Sequence, residues 1–254
     1  MNRYSIGMLI LAASMFAGTR QANAEIFGGI DFPDGARSFA DEVIRVDPLF
    51  RGGPVATDPT TLNPGATLQA PQGGAADFIS YSLSEGGLIE LAFLNNLLTN
   101  SGDSEFDLHV FEVGNLIEAT FVSIRPTPAT KLLLDAMIGP WTNLDAAGGS
   151  PAADMIGDGF LYVGYAGGST TSIDIDPLFP GFDPSQLRFD AVQLIDDETQ
   201  TFPNAKVGAD IDAVGAIASV EVRIPEASSM LVWTVAVAFG FGTRFSRRRK
   251  KARK

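Results

Sequence analysis

Glycine and proline interrupt this chain every dozen residues or so between residues 25 and 226, and long helical periodicity is missing there. The runs between these breaks are short and rich in β-branched and aromatic residues. Short strands of this kind pack as a sandwich or a barrel, whereas an α/β fold needs regularly alternating helices. We therefore expect an all-β fold, an antiparallel β-sandwich over residues 25–222. A division into two domains near residues 146–150 is the alternative, but neither half looks self-sufficient.

The β-prone runs predict the individual strands. They are Glu42–Val46, Phe78–Leu83, Leu88–Leu94, Phe106–Val113, Thr120–Ile124, Phe160–Tyr165, Ser172–Ile175, Leu187–Ile195 and Ile211–Val222. The turn signal at 84–87 predicts that the second and third runs form a hairpin. Short helices are alternatives at 38–46 and 131–138, and residues 52–74 predict a long ordered loop.

The first 24 residues predict a secretory signal peptide in the form of a signal helix. Arg3 gives a positive start, and the segment 6–18 is apolar. Ala22 and Ala24 form an A-x-A cleavage site that leaves Glu25 as the mature N terminus. An uncleaved anchor or a buried helix is the alternative, but the apolar segment is short for a membrane span.

Residues 223–254 predict a membrane-directed segment. The stretch 227–242 carries no charge and predicts a single transmembrane helix of about 24 Å, against a hydrocarbon core of about 30 Å. A basic cluster follows, which we expect on the cytoplasmic side. Its residues are Arg244, Arg247, Arg248, Arg249, Lys250 and Lys251, followed by Arg253 and Lys254. A core helix with a solvated tail and a nucleic-acid-binding tail are the alternatives.

Pro225, Glu226 and Ala227 stand directly before this apolar stretch. The order of a Pro-Glu motif, a short apolar span and an Arg-rich end resembles the PEP-CTERM sorting signal of Gram-negative bacteria. The resemblance implies recognition by an exosortase, anchoring in the inner membrane during transit, removal of the tail, and delivery to the cell surface or extracellular matrix. Ala227 stands where the family has a second proline, which bears on how efficiently the tail is processed.

The charge of the chain is divided unevenly. Its formal net charge is −12, but residues 25–226 hold 30 acidic and eight basic residues, because ten basic residues lie in the two ends. An acidic domain repels phosphates, so nucleic acid is excluded as a partner. The chain has no cysteine, which excludes disulfides, cysteine nucleophiles and thiolate metal sites. The expected partners are divalent cations and neutral or cationic polymers.

Two blocks within the domain carry a second resemblance: Asp107–Glu112 (DLHVFE) and 208–217 (GADIDAVGAI). With weaker blocks over most of 26–220, they resemble secreted bacterial surface proteins, many of which have PEP-CTERM tails. The domain of that family looks similar to galactose-binding-like jelly rolls, so the resemblance implies a jelly-roll-like sandwich and no defined activity. The stretch 125–158 departs from the family pattern, and we expect a rim loop there to differ.

The acidic blocks are the most concentrated chemistry of the domain. Alternation along a strand places Asp107 and Glu112 on opposite faces, and Asp210 and Asp212 on one face. Carboxylates that share a face repel each other unless a cation or hydrogen-bond donors neutralise them. Ca²⁺ takes oxygen ligands, and the resemblance to jelly rolls suggests a structural ion. We predict a Ca²⁺ site that draws on Asp107, Glu112, Asp210 or Asp212; the alternative is that these acids cap turns and lie in solvent.

The chain shows no catalytic constellation. His109 is the single histidine and lies within a β-prone run, without a G-x-S-x-G elbow, so we expect no catalytic role for it. Four aromatic residues offer a sugar-stacking platform or, more in keeping with their sequence, core: Trp141, Phe160, Tyr162 and Tyr165. We expect a non-catalytic surface or matrix protein that binds carbohydrate or matrix polymer. A secreted carbohydrate-active enzyme with a carboxylate pair and a purely structural matrix component are the alternatives.

Overall fold

The structure is a computed structural model, and it describes residues 24–71, 80–113, 118–137, 159–167, 171–200 and 207–222. The predicted signal peptide up to residue 23 and the predicted sorting segment from residue 223 lie outside these ranges, as does Trp141. The first strand begins at Glu25, the predicted mature N terminus. Among the described residues, no helix combines the length and the apolar character that crossing a membrane requires.

Strands dominate the described ranges, in which one α-helix also forms. The strands are β1 (Glu25–Phe27), β2 (Ile30–Phe32), β3 (Glu42–Asp47), β4 (Tyr81–Ser82), β5 (Leu88–Ala92), β6 (Asn96–Thr99), β7 (Leu108–Glu112), β8 (Thr120–Pro126), β9 (Leu161–Ala166), β10 (Thr171–Ile173), β11 (Arg188–Asp196), β12 (Asp210–Ala216) and β13 (Ser219–Glu221). The helix α1 is Pro128–Met137, and short 3-10 helices lie at Gly35–Ser38, Pro59–Thr61, Pro64–Leu68 and Asp176–Leu178.

The strands form two main antiparallel sheets. The four-stranded sheet has the order β10-β7-β12-β4. The seven-stranded sheet is built on β11, whose first residues pair with β6 and whose later residues pair with β5, while β8 pairs along its other edge. β13 extends this sheet beyond β6, β3 extends it beyond β5, and β9 extends it beyond β8. The predicted all-β antiparallel fold is confirmed.

The main core lies between the two sheets because alternate side chains of each sheet are apolar. Leu108 and Val110 of β7 and Val214 of β12 belong to the same buried cluster as Leu91 of β5 and Val192 of β11. All five side chains are almost completely buried. Facing apolar surfaces of two sheets are what defines a sandwich, and their burial is the main source of its stability.

The opposite face of the four-stranded sheet is buried as well. Phe111 of β7 packs there against Phe32 and Phe39, whose ring centroids each lie 6.0 Å from its own. Phe32 and Phe39 come from the N-terminal hairpin β1–β2 and the segment after it, and both rings are buried. The N-terminal residues therefore form an aromatic layer outside the sandwich, and this layer was not predicted.

Helix α1 follows β8 directly, and its start is capped. The backbone nitrogen of Lys131 donates to the carbonyl of Thr127 at 2.8 Å, and that of Thr130 donates to Thr127 Oγ1 at 3.3 Å. Proline at the first helical position suits this end of a helix. Leu134 is buried in the main core. The predicted helix at 131–138 is confirmed, although it begins earlier, while the alternative helix at 38–46 is wrong because Glu42–Asp47 pairs with β5 as a strand.

Two predictions of strand connection are wrong. The predicted hairpin of 78–83 with 88–94 does not form, because β4 pairs with β12 while β5 pairs with β11 and β3. The turn at 84–87, with Ser84 at φ 73°, instead leads from one sheet to the other. The predicted strand 211–222 likewise divides into β12 and β13, which belong to different sheets. Sequence alternation does not distinguish a long strand from two strands that meet at a corner.

Candidate functional site

Three aspartates converge at one end of the sandwich, and we call Asp107, Asp174 and Asp176 the aspartate group. One carboxylate oxygen from each lies within 4.8 Å of the others. Asp107 directly precedes β7, and the other two follow β10, which pairs with β7. The antiparallel pairing brings the start of one strand beside the end of the other.

Backbone amides and one hydroxyl hold the aspartate group in place. Asp107 accepts hydrogen bonds from the backbone nitrogens of Ser101 and Ile175, both at 2.9 Å. Asp176 accepts from Ser101 Oγ at 2.8 Å and from the backbone nitrogen of Gly102 at 2.9 Å. These donors compensate much of the negative charge, and they fix the loop at 101–102 against the residues after β10.

Asp107 is also tied to the corner between β12 and β13. Its carbonyl oxygen accepts from the backbone nitrogens of Ile217 at 2.7 Å and Ala218 at 3.1 Å. Its side chain is completely buried. Burial raises the pKa of Asp107 to about 6, and the negative charge of Asp176 adds to this effect, while the amide donors oppose it.

A depression of about 370 Å³ adjoins the aspartate group. Its walls combine carboxylates and hydroxyls with apolar rings, and they include Ser104, Asp174, Asp176, Pro177, Phe179 and Pro180. Phe179 and Phe182 are themselves buried and give the floor a fixed shape. Carboxylates beside flat apolar surfaces suit a ligand that carries both hydroxyl groups and C–H faces.

A second set of acids lies at the other end of β7, and we call Glu112, Glu118, Asp196 and Asp210 the carboxylate cluster. Glu112 ends β7, Asp196 ends β11 and Asp210 begins β12. Glu118 stands just before β8, whose residue Thr120 is the pairing partner of Asp196. Two members therefore belong to each sheet.

Among the described residues, the hydrogen bonds of the carboxylate cluster do not extend to one oxygen of Glu118. The backbone nitrogen of Glu118 donates to Glu112 Oε1 at 2.8 Å. Asp196 accepts from the backbone nitrogens of Gly86 at 2.9 Å and Ala209 at 2.7 Å. Glu118 is 5% exposed, and within the described part of the chain its Oε1 atom is buried without a hydrogen-bond partner.

The cluster resists ionisation. Burial raises the pKa of Glu112 to about 8, and repulsion from Asp210 and Asp196 acts in the same direction. Burial raises the pKa of Glu118 to about 8, and Asp196, Asp210, Glu112 and Glu85 add to the effect. Burial raises the pKa of Asp196 to about 6, against the two amides that favour its charged form. Such values are typical of carboxylates that lack a neutralising positive charge.

The four residues of the predicted Ca²⁺ site do not meet at one point. Asp107 and Glu112 stand at opposite ends of β7, so their Cα atoms are roughly 17 Å apart at about 3.3 Å per residue. Glu112 and Asp210 do lie near each other, because Ile211 pairs with Glu112 and the backbone nitrogen of Val113 donates to the carbonyl of Asp210 at 2.9 Å. Asp212 lies at a β-bulge in β12. Ile211 pairs with Glu112 and Ala213 pairs with Phe111, so Asp212 between them has no pairing partner in β7. This bulge interrupts the regular pairing of β12 with β7 at Asp212, so the alternation that predicted a shared face for Asp210 and Asp212 is not regular there.

Four acids of these groups were not included in the predicted site: Asp174, Asp176, Glu118 and Asp196. The spacing of Asp174 and Asp176 was a usable signal, since it places both on one side of an extended segment. Glu118 and Asp196 gave no local signal, because the pairing of β8 with β11 brings them together from positions 78 residues apart. Sheet pairing over such a distance cannot be deduced from spacing.

His109 is built into the layer outside the four-stranded sheet. Its Nδ1 atom lies 2.6 Å from Ser172 Oγ, and its ring lies 4.3 Å from that of Phe111. The Nε2 atom is buried without a hydrogen-bond partner among the described residues. Burial lowers the pKa of His109 to about 4, so the ring is neutral near pH 7 and packs as part of this layer.

Three of the four aromatic residues for which core was preferred over a sugar-stacking platform are described, and they are divided between core and surface. Phe160 is buried, while Tyr165 is 39% exposed and donates to Asp197 Oδ2 at 2.5 Å. Tyr162 and Phe121 pack together on the outer side of the seven-stranded sheet. These rings do not line the depression beside the aspartate group.

Comparisons with known proteins add no relatives to this picture. No family model, no curated protein and no solved structure matches the chain significantly.

Proposed function

We propose that this chain is a non-catalytic protein of the bacterial cell surface or extracellular matrix, and that its sandwich binds a carbohydrate polymer. The depression beside the aspartate group carries the proposal. It is open, it lies at an end of the sandwich where loops can vary, and it presents carboxylates next to proline and phenylalanine rings.

The chemistry of the depression suits a sugar. The Asp174 and Asp176 carboxylates accept hydrogen bonds and would accept them from neighbouring hydroxyl groups of one sugar unit. The rings of Pro177 and Pro180, both exposed, would lie against the C–H face of the same unit. A neutral or cationic polymer is the suitable class, because residues 25–226 hold 30 acidic and eight basic residues.

The ends of the chain support export and sorting. The A-x-A site before Glu25 and the apolar stretch 227–242 with its basic end are the features of a leader and of a PEP-CTERM-like tail. We propose that an exosortase acts on this tail after the chain has reached the inner membrane of a Gram-negative bacterium. A jelly-roll-like topology of the domain belongs to the same proposal.

The binding function is tested with immobilised polysaccharides and the purified full-length protein. We expect the double variant Asp174→Asn/Asp176→Asn to bind at least tenfold more weakly, since a hydrogen bond to a charged group contributes about 1.5–3 kcal/mol. Ser104→Tyr, which fills the depression and leaves the carboxylates in place, should weaken binding to a similar extent. Glu105→Gln, an exposed acid outside the depression, is the matched control.

Three results would overturn the proposal. Wild-type protein that binds no polysaccharide would indicate a purely structural matrix component. Soluble sugar products that disappear in the double variant would indicate a carbohydrate-active enzyme. Equal binding by wild type and by both depression variants would place the ligand elsewhere.

A further inference from the structure

We propose that the depression beside the aspartate group selects a polymer of amino sugars with free amines, and that one ammonium group of this polymer binds between Asp174 and Asp176. The inference rests on the carbohydrate binding proposed above and names the class of sugar. It adds one requirement that can be measured separately, namely a positive charge on the ligand.

The walls of the depression carry negative charge without positive charge beside it. Asp103, Asp174 and Asp176 line it, and none of the described residues that line it is basic. The wider domain has the same character, since residues 25–226 hold 30 acidic and eight basic residues. A hydroxyl group can donate to these carboxylates, but an ammonium group also neutralises their charge, and hydrogen bonds between charged groups are the stronger ones. The electrostatics therefore favour an amine-bearing sugar over a neutral one.

Asp174 and Asp176 each keep one oxygen for a ligand. Asp174 Oδ1 accepts from the backbone nitrogen of Asp176 at 3.0 Å. Asp176 Oδ2 accepts from Ser101 Oγ at 2.8 Å and from the backbone nitrogen of Gly102 at 2.9 Å. Within the described ranges, the second oxygen of each carboxylate accepts no hydrogen bond. Both residues are half-buried and line the depression, so a ligand there can reach them.

The spacing of the two carboxylates suits one ammonium nitrogen. An oxygen of Asp174 and an oxygen of Asp176 lie within 4.8 Å of each other and of an oxygen of the buried Asp107. A charged nitrogen donates to carboxylates at about 2.7–2.9 Å, so two oxygens that share it lie at most about 5.8 Å apart. An ammonium group has three N–H donors. It requires fewer free oxygens than Ca²⁺, which takes about six to eight.

Exposed rings next to the carboxylates favour a sugar over other cations. Pro177 directly follows Asp176, Pro180 also lines the depression, and both prolines are exposed. Phe179 between them is buried and fixes their positions. Flat apolar surfaces of this kind pack against the C–H face of a sugar ring, whereas a metal ion gains nothing from them. The volume of about 370 Å³ falls within the range of ligand sites, about 300–1,000 Å³.

The loop that forms another part of the wall is fixed by close packing. Gly102 has φ 83°, and a Cβ atom there would lie 2.3 Å from Pro184 Cγ. Only glycine allows the loop to approach Pro184 this closely in this conformation. The donors that the loop contributes to Asp176 are therefore in position before a ligand arrives, which reduces the entropy lost on binding.

The test uses a matched pair of ligands, glucosamine oligomers and N-acetylglucosamine oligomers of equal length and linkage, titrated calorimetrically into the purified full-length protein. We expect the oligomer with free amines to bind at least about tenfold more tightly, because acetylation removes its charge. Asp174→Asn keeps an acceptor for the backbone nitrogen of Asp176. It should weaken binding of the glucosamine oligomer at least about tenfold and that of the acetylated oligomer far less. Glu105→Gln removes an exposed charge outside the depression and should bind both oligomers like the wild type.

Ser104→Tyr distinguishes a defined site from general attraction of a polycation to an acidic domain. This variant leaves every charge in place and fills the depression, so it should weaken glucosamine-oligomer binding at least about tenfold and leave oligolysine binding unchanged. It also keeps the comparison available should Asp174→Asn not fold. If oligolysine binding depends on Ser104 and Asp174 in the same way, the ligand is a basic peptide and the proposal is wrong.

The remaining outcomes separate this inference from carbohydrate binding itself. Equal affinity for the two oligomers, lost in Ser104→Tyr, would overturn the requirement for a charged amine and leave carbohydrate binding intact. Binding of the acetylated oligomer that appears only with added Ca²⁺ would show that the aspartate group holds an ion in place of an ammonium group, and the proposal would be wrong. Binding of no polysaccharide at all would overturn both proposals.

Discussion

Single carboxylates in this domain differ greatly in how readily they ionise, and burial is the main cause. Glu112 and Glu118 have pKa values of about 8, raised from 4.5, mainly by burial and then by neighbouring acids. Between pH 4.5 and about pH 8, these two carboxyl groups keep their protons in the folded state, whereas in the unfolded state they have released them. The stability of the ion-free protein therefore falls as the pH rises through this window.

The range from about pH 6.5 to about pH 8 is where the raised pKa values of Glu112 and Glu118 dominate the change of stability with pH. Asp107 and Asp196, with pKa values of about 6, have largely titrated below it. His109, with a pKa lowered to about 4 from 6.5, acts in the opposite direction, mainly below this range and with a small contribution at its lower end. In chelator, we expect the free energy of unfolding to fall across this range by up to about 1.4 kcal/mol per pH unit for each proton involved.

Urea unfolding at several pH values measures this slope. The double variant Glu112→Gln/Glu118→Gln is the control, and its free energy of unfolding should change much less across the same range. A wild-type free energy that stays constant or rises from about pH 6.5 to about pH 8 would contradict the assignment of raised pKa values to these two residues.

The sequence identified several important residues and missed others for a definable reason. Asp107, Glu112 and Asp210 were recognised as candidate ligands, and each lies in one of the two acidic groups. Glu118 and Asp196 were not recognised, because their environment depends on pairing between β8 and β11. Local spacing reports which face a residue occupies, and it carries no information on which distant residue shares that face.

At the scale of elements, the aromatic layer depends on a residue with no side chain. A Cβ atom at Gly215 of β12 would lie 2.6 Å from Phe32 Cε1 and 2.9 Å from Phe39 Cε1. Gly215→Ala must therefore displace two buried rings and the hairpin β1–β2 with them. We expect it to lower the free energy of unfolding by about 1–3 kcal/mol, measured by urea denaturation.

Gly164→Ala in β9 is the matched control for Gly215→Ala. A Cβ atom at Gly164 would meet Ile173 at 3.6 Å, which is ordinary contact. Proteolysis near the N terminus should increase in Gly215→Ala and not in Gly164→Ala, because only the first loosens the hairpin. Equal stability of the two variants would show that the aromatic layer accommodates the added methyl group.

Most strands were predictable from β-prone runs between turn residues, and their partners were not. The run at 106–113 contains β7, and the run at 187–195 corresponds closely to β11. The turn at 84–87 was expected to close a hairpin, yet it leads between sheets. Its Gly86 donates to Asp196 at 2.9 Å, so a contact with a residue 110 positions away fixes its path. Long-range contacts of this kind decide topology and are invisible to a local pattern.

At the scale of the whole molecule, charge separates the domain from the ends of the chain. The first 24 residues and the segment from residue 227 contain ten basic and no acidic residues. Cell fractionation tests the proposed sorting: we expect the full chain to reach the cell surface through the membrane fraction, and a chain that ends at residue 222 to remain periplasmic. Ala227→Pro, which restores the Pro-Glu-Pro motif, should increase the processed fraction. Equal distribution of the full and truncated chains would rule out a sorting role for the tail.

The corner between β12 and β13 has a mechanical consequence. β13 is three residues long and, among the described strands, pairs with β6 alone at the edge of the seven-stranded sheet, whereas β12 lies between β7 and β4. A pulling force applied beyond Glu221 would load the few hydrogen bonds of β13 one after another. The next hydrogen bonds to carry the force would be those that the backbone nitrogens of Ile217 and Ala218 donate to the carbonyl oxygen of Asp107. A chain tethered through its C-terminal side would thus yield first at a short edge strand, and the core would bear load only after that strand had peeled away.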